Sequence, residues 1–163
     1  MNPRRAILFF ELLGLSFLIG CGLDLEQLKN EAQDALSVGN FSQAREISTR
    51  ALEQGPGSDE RLTWALERIR LEALARGGET ADARDTLERM AGEYPSQVNA
   101  SLYLAIASYL HEAGDAGGAI EILVAGDKRF PEESEKFKTQ IQEFEASGLD
   151  PAEIDRLRSL GYL

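Results

Sequence analysis

The chain has one cysteine, one histidine and one tryptophan in 163 residues. A lone Cys21 cannot close an internal disulfide, and with His111 as its only histidine the chain cannot assemble a Cys/His zinc cluster. Aromatics amount to 7% and prolines to five, and β-branched runs of strand length are missing. Positive charge is also scarce, with 17 Lys and Arg against 28 Asp and Glu for a net charge of -11. Such a surface repels phosphate backbones and anionic head groups, so nucleic-acid binding and electrostatic membrane attachment are excluded as expectations. No phosphate-cradling Gly-rich loop, no Gly-x-Ser-x-Gly and no His-Glu-x-x-His occurs. We therefore expect no catalytic residues, no metal, no cofactor and no small-molecule substrate.

What is abundant is Ala, Leu, Glu, Arg and Gln, residues that lose little side-chain freedom in helices. An all-α fold is expected, with no sheet.

The chain opens with Arg4 and Arg5, followed by an apolar run over 6–19 interrupted by Glu11. That run is shorter than the roughly 20 residues needed to cross a hydrocarbon core of about 30 Å, so a secretory signal is expected rather than a permanent span. It ends in Leu18-Ile19-Gly20-Cys21, which resembles the lipobox of bacterial lipoprotein precursors. The resemblance implies that residues 1–20 are a signal peptide cut before Cys21, and that 21–24 form a lipidated N-terminus with a diacylglycerol on the Cys21 thiol. Removing Arg4, Arg5 and Glu11 leaves a net charge of -12. Two or three acyl chains anchor stably, because each buried methylene contributes about 0.8 kcal/mol. Gly22 stands where many such precursors carry an Asp that retains them at the inner membrane, so the resemblance favours the periplasmic face of the outer membrane.

Three segments align internally. Gly39, Gly78 and Gly114 are each followed five residues later by Ala44, Ala83 and Ala119, and seventeen later by Pro56, Pro95 and Pro131. Each reads as a turn, a helix and a stop: Gly takes the left-handed turn, Ala permits close approach, and Pro ends the hydrogen-bond ladder. Upstream stripes such as Tyr103, Ile106, Ala107 and Leu110 supply a preceding helix.

This pattern resembles the tetratricopeptide repeat. The resemblance implies a right-handed α-solenoid of about three helical hairpins, over about 25–58, 59–97 and 98–131, with capping helices and a tail over 132–163. The prolines lie 39 and 36 residues apart rather than the family's 34. The surplus falls late in the second repeat's first helix, around Glu72–Arg76, and that helix has Ser58 as a plausible cap. Gly126 stands where Ala or Ser is usual, weakening its helix by about 1 kcal/mol.

The resemblance further implies a concave groove that holds a peptide or helix of another protein. Lys29 and Gln33 from the first repeat, and Ser101, Leu104, Ser108 and His111 from the third, would line it. A scaffold or adaptor of the cell envelope is the function this implies. The ending Leu157-Arg-Ser-Leu160-Gly-Tyr-Leu163 is similar to a tail of secreted sulfatases, which gives an alternative: an accessory subunit of such an enzyme. Packing of Leu157, Leu160 and Tyr162 onto the preceding helices is the simpler expectation for that tail.

Overall fold

The computed structural model describes residues 24–55 and 59–163. The signal segment, Cys21, Pro56 and Ser58 lie outside the described residues. Among the described residues the chain is entirely helical, with no strand.

The elements begin where short polar side chains can accept the first unpaired amides. Asp24 caps α1, Leu25–Ser37, and Asn40 caps α2, Phe41–Glu53. Asp59 caps α3, Glu60–Arg76, by accepting from the Arg61 and Leu62 amides, so the start falls one residue beyond the expected Ser58. Helix α3 has 17 residues where α1 and α5 have 13. Helix α4, Thr80–Glu93, follows. Asn99 caps α5, Ala100–Glu112, and Asp115 caps α6, Ala116–Arg129. A 3-10 turn over Pro131–Glu133 delays α7 to Ser134–Gly148, and Asp150 caps α8, Pro151–Leu160.

One turn recurs three times. Gly39, Gly78 and Gly114 have φ of 78°, 73° and 91°, a region that side chains disfavour. The next amide, of Asn40, Glu79 or Asp115, donates to the carbonyl five residues back at 2.9 Å in each case. These bonds satisfy the orphan carbonyls of the helix that ends and send the chain back along it. Accordingly α1 packs on α2, α3 on α4 and α5 on α6, while α1, α3 and α5 also pack side by side. Ala44, Ala83 and Ala119, the small residues five beyond each glycine, are all fully buried.

The core has two parts. Leu28, Ala32, Ile47 and Ala51 meet Leu62, Leu66 and Ile69 of α3 in the first. Leu71, Leu74 and Ala75 of the same helix join α4 to α8 in the second. Helix α3 thus presents apolar faces in two directions, which explains its weak amphipathic pattern.

Polar links tie corresponding places together. Arg45 pairs with Glu79 and the Thr80 hydroxyl donates to Asp115, while Arg84 meets Glu121 at 3.2 Å. Buried Glu67 of α3 accepts from Arg89 of α4 at 2.6 Å, and Arg129 donates to the Ala91 carbonyl at 2.6 Å.

Gly126 has a different meaning here from a weak point in a helix. A Cβ at this position would lie 2.4 Å from one carbon of the Phe137 ring and 3.0 Å from the Tyr103 Cβ. The glycine makes the space into which α7 inserts its fully buried phenylalanine.

Candidate functional site

The three side-by-side helices α1, α3 and α5 bound an open groove. Between α1 and α3 lies a cavity of about 550 Å³, lined on one wall by Lys29, Asn30 and Gln33 and on the other by Trp64, Arg68 and Ile69. Between α3 and α5 lies a smaller one of about 200 Å³, where Ser101 and Ala105 face the same Trp64 and Arg68. The two cavities therefore form one groove, with α3 as its ridge.

The structure brings together Lys29, Gln33 and Ser101 of the six expected lining residues. It places the other three elsewhere. Helix α7 lies over the far part of α5: Gln140 donates to the Leu104 carbonyl at 3.2 Å and to the Ser108 hydroxyl at 2.5 Å. The His111 ring stacks on Phe144, with centroids 4.1 Å apart, and its Nε2 lies 3.0 Å from the Ser147 hydroxyl. Leu104, Ser108 and His111 thus hold α7 rather than face an open groove. The buried stripe of Phe137, Ile141 and Phe144 provides the reason, since it needs an apolar surface and finds it on α5 and α6.

Trp64 and Arg68 are functional candidates that the sequence reading did not reach. A signal was present, because the chain's one tryptophan and an arginine sit four residues apart on one helix. The half-buried Trp64 ring is fixed edge-on against Tyr94, with centroids 5.5 Å apart and an interplanar angle of 61°.

The charges of the groove are mostly balanced. Lys29 pairs with Glu26 one turn earlier, and Glu72 accepts from Arg76 at 2.9 Å, whose guanidinium lies 4.2 Å above the Tyr109 ring. Arg68 is exposed and makes no ion pair among the described residues. The groove can take up apolar surface at Trp64, hydrogen bonds at Asn30 and Gln33, and a negative charge at Arg68.

At the other end of the molecule, Leu157 is buried and the Tyr162 hydroxyl donates to Asp127 of α6 at 2.5 Å. Burial, and then this hydrogen bond, raise the Tyr162 phenol well above its ordinary value. Leu160 does not pack as expected and is 46% exposed. Gly161, at φ 79°, turns the chain so that Tyr162 covers the helix end in its place.

Among the described residues no three His, Cys, Asp or Glu side chains converge on a metal-sized site, and no described helix is long and apolar enough to cross a membrane. No family model, curated protein or solved structure matches the chain.

Proposed function

We propose that the chain is a scaffold or adaptor of the cell envelope: a right-handed stack of three tetratricopeptide-like hairpins, capped by α7 and α8, that holds a segment of another protein in the groove of α1, α3 and α5. A diacylglycerol on Cys21 would tether it to a membrane, favouring the periplasmic face of the outer membrane. The observation that carries the repeat reading is the turn found at Gly39, Gly78 and Gly114, with the same hydrogen bonds and the same buried alanine five residues on. A hairpin of two 13-residue helices is too small to bury its own apolar faces, so neighbours must share them. Stacking of that kind would leave one continuous lined surface, and the two cavities that share Trp64 and Arg68 support this reading.

The test is crosslinking in cells followed by mass spectrometry, comparing the chain with its Trp64→Ala variant. Aromatic side chains at the centre of interfaces typically contribute about 2 kcal/mol or more, so capture of the groove partner should fall by at least about tenfold. A partner captured equally by both forms would remove the groove from the function.

A further inference from the structure

We propose that the open groove recognises an extended segment with an aromatic side chain and a carboxylate two residues apart. This deepens the scaffold reading and rests on it.

Trp64 and Arg68 stand one turn apart on the same side of α3, which places their Cβ atoms about 5–6 Å apart. Both line both parts of the groove. An extended chain rises about 3.3 Å per residue and returns to the same side every second residue, so its side chains i and i+2 are spaced about 6.6 Å. A strand running along α3 therefore brings alternate side chains to Trp64 and to Arg68 in turn.

Each contact has its own chemistry. Trp64 is pinned by Tyr94, so little side-chain freedom remains to be lost when an aromatic ring packs on its exposed part. Arg68 is the groove cation without a carboxylate partner among the described residues, whereas Lys29 is matched by Glu26. A ligand carboxylate can engage the guanidinium through two parallel hydrogen bonds. Glu72 on the same wall is held by Arg76 at 2.9 Å, and the repulsion from the more distant charges of a chain of net charge -11 is largely screened beyond about 8–10 Å at physiological salt. On the opposite wall Asn30 and Gln33 offer amide donors and acceptors. An extended strand has unpaired backbone groups that need such partners, while a helix satisfies its own. The arrangement therefore selects a strand over a helix.

Trp64 also reports on binding, being the one tryptophan of the chain. The full chain, in detergent micelles, is titrated with three capped hexapeptides while its emission is followed. The first contains Phe-Ala-Glu at its centre, the second Phe-Ala-Lys, and the third has Phe and Glu adjacent. We expect the first to shift the emission saturably and to bind at least tenfold more tightly than the other two. In the Arg68→Glu variant the order of the first two should invert. That position is exposed, and the circular dichroism of the variant should be unchanged. Equal affinity for the Glu and Lys peptides, or an order that Arg68→Glu leaves intact, would overturn the recognition rule. If no peptide binds while capture in cells still depends on Trp64, the rule falls and the scaffold reading stands. If capture is indifferent to Trp64 as well, both fall.

Discussion

At Gly126 helix propensity and packing pull in opposite directions. Alanine would gain about 1 kcal/mol of propensity, but its methyl would occupy the place of the Phe137 ring, which is buried and has nowhere to swing. Overpacking of this kind typically costs about 1–3 kcal/mol, so Gly126→Ala should lower the stability of the chain by about 1 kcal/mol in urea unfolding; a raised midpoint would contradict the packing account. Tyr162 gives a second case. Its hydroxyl satisfies one oxygen of Asp127, whose other carboxylate oxygen is buried without a partner among the described residues. Tyr162→Phe should therefore destabilise by about 1–3 kcal/mol near neutral pH. Because the folded phenol titrates above its ordinary 10.0, the stabilisation is fully present below that pH. It is lost as the pH climbs toward the raised folded value, because the unfolded chain ionises first. The variant should accordingly show a shallower alkaline fall in melting temperature than the parent chain. Helix propensity at a place where Ala or Ser is usual marked Gly126 as a flaw, because a missing side chain says nothing about which neighbour fills the space.

The turns were legible at the scale of elements because they are local, whereas the cap of α3 was expected at Ser58 and stands at Asp59. The three Gly-to-Ala spacings follow from residues within a turn or two of each other, while the long α3 was read from the unequal spacing of the prolines. The route of α7 was not legible: a stripe of Phe137, Ile141 and Phe144 states that the helix packs, but not that it packs over His111. Trp64 and Arg68 were missed for a related reason. Each helical residue rotates the face by about 100°, so a helix longer than α1 and α5 leaves its outward face ambiguous until its neighbours are known. The caps also differ in their work. The Asp115 side chain accepts from the Gly118 amide at 2.8 Å and from the Thr80 hydroxyl, joining the starts of α6 and α4. Glu79, at the matching place before α4, caps nothing with its side chain and pairs with Arg45 instead. Asp115→Ala should thus cost about 2 kcal/mol, the upper end of the range for a lost cap. Asp59→Ala, which removes a cap alone, should cost about 1 kcal/mol. Thermal unfolding of the two variants decides between this ranking and its reverse.

Taken whole, the molecule is an acidic helical array, and its proposed tether lies immediately before its first helix. Asp24, the cap of α1, is three residues from Cys21, a reach of about 10 Å when fully extended. Acylation there would hold the groove beside the bilayer. Cys21→Ser should abolish fatty-acid labelling and move the chain from the detergent phase to the aqueous phase on partitioning; unchanged partitioning would remove the lipid anchor. Helix α3 carries a consequence for how the array comes apart. Because it is a wall of both apolar cores, loss of α3 should open both at once, whereas loss of α1 and α2 should open only the first. The central amides of α3 should be the last in the chain to trade their protons for deuterium.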